Sequence, residues 1–289
     1  MPTFAAEPDG SASDGELAYY RRRAEGGVAA VVTAGCAVAE AGLAFRGQWR
    51  CDDDRSLPSL ERAAEAIHAG GATAVLQLTH AGTAKDFTGR GAVESVVQAF
   101  SRAAARAKTA GFDGVEIHGG HRELLQQFLS PATNLVSPAD RERVPLQVVA
   151  GVQRSGPSSV WYRVDPSEPE QDGLRLEDVG RFAARLDVDV LDLSAKRYAK
   201  PSWGAESPRP VVMAVGGIET PQQAERALED GCGLVGLGHL LLSCPDWPRL
   251  VQGGLWRPPA ALPDVAALRA ALTPEPVIDY LVKKGRALA

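Results

Sequence analysis

No Cys-x-x-Cys pair occurs in this chain. Its four cysteines, Cys36, Cys51, Cys232 and Cys244, stand far apart, which argues against a zinc ribbon or a disulfide framework and makes reduced thiols the expectation. Cys36, just past an apolar segment, reads as a small buried residue. Any long charged, Ser-rich or Gly-rich linker is also missing, so residues 1–289 are read as one domain around one large core. The N-terminus has no basic region followed by an apolar segment, hence no secretory signal is expected. The apolar run from Val28 to Phe45 approaches the length of a membrane span, but Gly35, Glu40 and Gly42 interrupt it. A buried strand followed by a loop in a cytoplasmic protein is the better reading. A formal charge of −5 argues against a phosphate-backbone partner.

What is present is globular: 45% hydrophobic and 23% charged residues. Short Val-, Leu- and Ile-rich runs alternate with longer helical patterns, the order of repeated βα units and a parallel sheet. Seven strands are predicted: Val28 to Thr33, Ala74 to Thr79, Gly114 to His118, Val160 to Val164, Val188 to Ser194, Val211 to Val215 and Leu234 to Leu237. Helices are predicted near Asp14 to Ala24, Leu57 to Ala69, Ala92 to Ala110, Arg122 to Phe128, Arg141 to Arg154, Leu176 to Leu186, Pro221 to Glu229 and Pro245 to Gln252. The link from Ser194 to Val211 is too short and irregular for a full helix. This pattern predicts a (β/α)8 TIM barrel whose first strand is largely missing, with residues 1 to 4, MPTF, as its remnant. A doubly wound sheet would need a Gly-rich turn after its first strand. AEGGVAA puts the glycines before it instead.

Side chains alternate across a strand. Glu116 and His118 therefore share one face and Val115 and Ile117 the other. Val75, Gln77 and Thr79 share a face, as do Trp161 with Arg163, and Asp192 with Ser194. Gln77, His118, Arg163 and Ser194 fall near the carboxyl ends of four strands, where barrel enzymes build their sites. Each alone could be a structural residue satisfied by a neighbour. Four on one rim point to a binding site, because unpartnered buried polar groups would cost ~1–3 kcal/mol each.

The segment HGGHRE, residues 118–123, sets His118 and His121 three apart across two glycines that leave room for a flat ligand. Helical metal pairs use a spacing of four with an intervening glutamate, and no third ligand is evident from His68, His80 or His239. No metal is expected. Gly216 and Gly217 follow one strand, and Gly238 the last. Glycines let backbone amides approach a ligand, and the last two βα loops are the habitual phosphate site of such barrels.

Taken in order, EPDGSASDGELAYYRRRAEGGVA, AVLQLTHAG, GFDGVEIHGGHRELLQQFLSPATN, VVMAVGGIETPQQAERALEDG and LVGLGHLLLSCPDWP resemble segments of the old yellow enzyme family of FMN-dependent oxidoreductases, particularly its NADH:flavin oxidoreductase branch. The resemblance spans most of the chain with gaps. It implies FMN and NAD(P)H as cofactors. It also implies that Gln77 bonds the flavin pyrimidine edge and that Arg163 sits where reduced flavin gathers negative charge. Amides near Gly216, Gly217 and Gly238 would hold the phosphate. His118 and His121 would donate to a carbonyl or phenolate oxygen stacked over the flavin, stabilising charge that develops there.

The departures carry information too. Glu123 stands where the family has a proton-donating tyrosine, and His239 where an arginine commonly follows the last phosphate-loop glycine. Pro2 stands where the family often has threonine or cysteine near the flavin. The segment after HAG, the part after Asn134 and the helix before Val211 are all shortened. A reduced cap implies a more open pocket, and a barrel short of a strand exposes two unpaired edges. Lower stability or a partner covering the gap is expected, and a homo-oligomer is left open. Buried, Glu123 would serve as proton donor, and solvated it would be a surface residue. Three functions compete at this point: hydride transfer from NAD(P)H through FMN to a conjugated carbonyl compound, a flavin-bound isomerisation without net redox change, and a degenerate barrel that only binds.

Overall fold

The computed structural model describes residues 2–87, 89–134, 137–166, 168–198, 200–201, 209–259 and 262–288. In chain order the elements are α1 (Asp14–Glu25), β1 (Ala30–Val32), β2 (Cys36–Ala37), α2 (Leu57–Ala69), β3 (Thr73–Thr79), α3 (Arg90–Thr109), β4 (Gly114–Gly119), α4 (Leu124–Leu129), α5 (Pro138–Arg154), β5 (Val160–Val164), α6 (Leu176–Ala183), β6 (Val190–Ser194), β7 (Val211–Val215), α7 (Pro221–Glu229), β8 (Leu234–Gly236), α8 (His239–Ser243), α9 (Trp247–Gln252), α10 (Val265–Ala270) and α11 (Glu275–Lys283). The sequence reading assigns no helix beyond Gln252, where α10 and α11 are short. They close a small separate core through Leu268, Val277, Ile278 and Leu281, against Leu242 of α8.

All strands are parallel, in the order β1-β3-β4-β5-β6-β7-β8, and β2 also pairs with β3. Thus β1 and β2 share one barrel position: Ala30 to Val32 lie beside Thr73 to Val75, and Cys36 and Ala37 beside Leu78 and Thr79. The sheet is an eight-stranded, curled, open barrel of TIM type. Among the described residues no ladder joins β1 to β8. Nor do residues 2–4 make a strand. Phe4 has φ 52°, which breaks an extended run, and Thr3 is buried with its hydroxyl on Glu16. Residues 199 and 202–208 of the link between Ser194 and Val211 fall outside the described residues.

Alternation separates two apolar layers. Leu76, Leu78, Val115, Ile117 and Leu191 point outward into the main core under the helices. Val75, Trp161, Val190 and Met213 point inward and fill the base of the barrel. Polar inward residues sit two positions further along β3, β5 and β6 (Gln77, Arg163 and Asp192), above that apolar floor, as the period of two requires. Helix starts agree with local chemistry. Ser13 and Glu16 form a capping box on α1, and Thr220 and Gln223 one on α7, with Pro221 in the first turn.

Candidate active site at the carboxyl ends of the strands

His118 is buried near the end of β4, and His121 follows in the loop before α4. The chain turns from β4 into α4 through two consecutive left-handed residues, His121 at φ 54° and Arg122 at φ 63°. Neither is glycine, so the conformation carries strain that surrounding bonds must hold. They do. The His121 amide donates to Asp165 Oδ2 at 2.7 Å and the Arg122 amide to Gln126 Oε1 at 2.7 Å. The Arg122 guanidinium pairs with Glu170. Glu168, buried in the same loop, accepts from Gln126 Nε2 at 2.6 Å, from the Ser130 hydroxyl and from the Leu174 amide. The loop after β5 thereby clamps the loop after β4.

The two glycines of HGGH have a different reason from the one their spacing suggests. A Cβ on Gly119 would lie 2.2 Å from the Tyr162 hydroxyl, and one on Gly120 2.9 Å from Asp165 Oδ1. They make room for β5 and its loop. The expectation that they leave space for a flat ligand is corrected accordingly.

His118 Nε2 and His121 Nδ1 are 3.1 Å apart. Burial, then the positive charge of Arg163, holds the His118 imidazole well below the usual histidine range. Burial also lowers His121, partly opposed by Asp165. Both rings are neutral at neutral pH. Glu123 stands at the N-cap position of α4 and is not a solvated surface residue: its side chain is 20% exposed and Oε1 stands 4.0 Å from His118 Nε2. Burial pushes its carboxyl up to about 7.

Arg163 of β5 donates to Ser194 Oγ at 2.7 Å and lies 3.4 Å from Asp192 Oδ2. Gln77 of β3 gives its side-chain amide to Glu116 Oε1 at 2.6 Å. Ser194 Oγ is 3.5 Å from His121 Nε2, so the arginine and histidine groups meet through one hydroxyl. Of the residues named from sequence, His118, His121, Glu123, Arg163 and Ser194 form one connected group. Gln77 sits two strands from Arg163, bound to Glu116.

Gly216, Gly217, Gly238 and His239 lie in the loops after β7 and β8. Gly216 has φ 133°, and a Cβ there would lie 2.0 Å from the Ala195 carbonyl oxygen, so only glycine fits. Gly217 has φ 62°. His239 opens α8, and its Nε2 accepts from Arg286 Nη1 at 2.7 Å. An arginine from the C-terminal segment therefore stands beside the histidine.

Sequence reasoning missed Asp165 and Arg286. Asp165 had a local signal, two residues after Arg163 at a strand end; Arg286 had none, being 47 residues from its partner. Among the described residues no group of three or more His, Cys, Asp or Glu is placed to hold a metal ion. No helix there is long and apolar enough to cross a membrane.

A parallel open barrel with a polar cluster at its carboxyl rim and glycine loops after its last two strands has the layout of a TIM-barrel enzyme. The chain belongs to the NADH:flavin oxidoreductase / NADH oxidase family, whose profile matches residues 1–90 and 85–257. It is 33% identical over 310 residues to a probable NADH-dependent flavin oxidoreductase, YqiG, of Bacillus subtilis, covering 88% of this chain and 82% of that one. It is 31% identical over 313 residues to the NADH:fumarate oxidoreductase of Klebsiella pneumoniae, covering 88% of this chain but 34% of that much longer protein. Among solved structures, morphinone reductase in complex with tetrahydroNAD superposes with a TM-score of 0.77 at 21% identity, covering 93% of this chain and 90% of that one. The old yellow enzyme homologue from Zymomonas mobilis superposes with a TM-score of 0.76 at 16% identity, covering 93% and 90%. These two likenesses concern the fold.

Proposed function

We propose that this protein is an FMN-dependent oxidoreductase that transfers hydride from NADH or NADPH to the activated alkene of a conjugated carbonyl compound, or runs the reverse desaturation. The observation that carries the reading is the His118–His121 pair, held at the barrel mouth by Asp165 and flanked by Glu123, whose carboxyl burial pushes up to about 7.

The residues present fit FMN. His118 Nδ1 and Arg163 Nε are buried without a partner, and Gly216 leaves no room for a side chain in the loop where a phosphate would sit. Gln77 and Arg163 would hold the ring system, and amides near Gly216, Gly217 and Gly238 the phosphate. Bound there, FMN supplies the hydride chemistry. Arg286 brings its guanidinium to His239, where the family resemblance leads one to expect an arginine, and so supplies a cation beside the phosphate loop.

The chain's own part is binding and proton work. His118 and His121 donate hydrogen bonds to the substrate oxygen, which becomes more negative as the alkene accepts hydride. Glu123, protonated through burial, delivers a proton to the adjacent carbon; its value of about 7 suits that task at neutral pH. Arg163 offsets the negative charge that gathers on the reduced ring.

Purified protein, as isolated or after FMN addition, should show flavin absorbance that NADH or NADPH bleaches without oxygen. Protein that stays colourless after FMN addition sinks the proposal. Turnover with oxidised flavin and no nicotinamide would replace hydride transfer with isomerisation.

A further inference from the structure

The turn that carries His121 and Glu123 is held from two sides by consecutive glutamines of α4. Gln126 Oε1 accepts from the Arg122 amide at 2.7 Å, and Gln127 Nε2 donates to the Arg122 carbonyl oxygen at 2.8 Å. Both hydrogen-bonding groups of one left-handed residue, at φ 63°, are thus met by side chains. Each glutamine then passes the contact to a different loop. Gln127 donates to the Gly82 carbonyl oxygen at 3.1 Å and accepts from the Ala84 amide at 3.1 Å, after β3. Gln126 donates to Glu168 Oε1 at 2.6 Å, after β5.

Chemistry fixes the direction of the Gln126 contacts. A backbone N–H can only donate, so the amide oxygen of Gln126 faces Arg122 and its NH2 group faces Glu168. Glu168 in turn meets only donors: Gln126 on Oε1, and the Ser130 hydroxyl and the Leu174 amide, at 2.8 Å, on Oε2. Gln126 and Ser130 are 1% and 0% exposed. A partner lost there is not replaced by bulk water.

We infer that Gln126 and Glu168 are positioning residues for the oxygen-binding end of the site: a one-way chain of hydrogen bonds, from the Arg122 amide through Gln126 to Glu168, keeps the turn left-handed and so fixes where His121 and Glu123 stand. Left to itself, that backbone is disfavoured for residues with side chains. His121 and Glu123 are the two neighbours of Arg122 in the chain. Asp165 holds the His121 amide at 2.7 Å. The loop after β5 therefore secures both left-handed residues, one directly and one through Gln126. The link from this chain of bonds to substrate rests on the function proposed above.

Reversing the polarity of the chain tests it. In Gln126→Glu the side chain has no hydrogen to give, and two carboxyl groups meet where the bond of 2.6 Å stood. Adding Glu168→Gln restores the chain in the opposite sense. The new amide donates to the carboxylate at position 126, while its oxygen takes the Ser130 and Leu174 hydrogens.

Two measurements separate this inference from the function it rests on. The first needs no cofactor. In the apoprotein, amide hydrogen exchange at His121 and Arg122, followed by NMR, should quicken about tenfold or more in Gln126→Glu and return toward wild type in the double variant. The second titrates FMN-loaded protein with para-chlorophenol. Phenol affinity should fall about tenfold or more in Gln126→Glu and recover in the double variant, with FMN affinity within about twofold throughout. A general structural role would move FMN and phenol binding together. If Gln126→Glu does not fold, Glu168→Gln alone, which also leaves a donor facing a donor, serves as the broken chain. A double variant that folds or exchanges no better than the single one overturns the chain. Restored exchange with phenol affinity unmoved in every variant overturns the link to the oxygen site. Protein that binds no FMN removes that link along with the proposed function, while amide exchange still decides the chain.

Discussion

His121 Nδ1 stands 3.1 Å from His118 Nε2, so each imidazole commits one nitrogen to the other. Two neutral rings own two N–H groups between them, and one of these closes that bond. The pair therefore offers one outward donor, on either His118 Nδ1 or His121 Nε2. Donation by both rings to a substrate oxygen requires the bond between them to open. His118 is buried on β4 whereas the His121 side chain is 53% exposed in the loop, so His121 is the ring with room to turn.

A structure with a bound phenol should accordingly show the two ring nitrogens separated beyond 3.5 Å, each facing the phenol oxygen. Replacing either His118 or His121 by alanine should weaken phenol binding by about tenfold or more, in keeping with ~1.5–3 kcal/mol for a hydrogen bond to a charged oxygen. The flavin spectrum should be retained. Equal phenol affinity in His121→Ala would remove that ring from the oxygen site.

Glu123 sets a pH limit on activity. As the proton donor it must be protonated, so turnover should fall as pH rises through about 7. Glu123→Gln should lower the protonation rate by about 10²–10⁴-fold and flatten that limb of the profile. An unchanged profile in the variant assigns the proton to another group.

The same carboxyl affects stability. Its folded value of about 7 lies above the ordinary 4.5, so between those limits the folded state binds more protons than the unfolded state. Stability contributed by this group is full below 4.5 and is lost as pH rises to about 7. His118 acts from the other side: buried neutral, with its value lowered, it costs stability as pH falls below 6.5. Chemical denaturation from pH 4.5 to 7.5 should therefore show a smaller decline in Glu123→Gln than in wild type.

Gly216→Ala should be severe for its size. The added methyl meets the Ala195 carbonyl oxygen at 2.0 Å, in a backbone conformation that side chains disfavour. A loss of about 1–3 kcal/mol in unfolding free energy is expected from strain alone, together with weaker FMN binding. Gly238→Ala, where no atom lies within 4 Å of the added carbon, is the matched control and should unfold nearly as wild type does.

Arg286→Ala tests the relocated cation. Arg286 is exposed, so its removal should weaken FMN binding by about two- to fivefold, with less salt dependence, and leave stability within ~0.5 kcal/mol. Fluorescence titration of FMN at two ionic strengths measures both. Identical affinity and salt slope would leave the His239 contact without a cofactor role.

The barrel and most of its rim were legible in one dimension because local rules decide them. Alternation with period two placed Gln77, Glu116, His118, Arg163 and Asp192 inside and Val115 and Ile117 outside, and capping chemistry marked the starts of α1 and α7. Short elements escaped. The two-residue β2 and the last helices, α10 and α11, owe their form to packing on β3 and on Leu242, which no local window contains.

What the sequence determined by itself was the order of the parts: which strands run parallel, which side chains turn inward, and which loops carry glycine. Only the tertiary structure decided their electrostatics. It buried Glu123 beside His118, set Arg163 against Asp192, brought Arg286 to His239, and assigned the two glycines of HGGH to Tyr162 and Asp165. The physical reason is that facing and spacing follow from backbone geometry. The charge a side chain carries instead depends on which distant residues exclude water from it or share its proton.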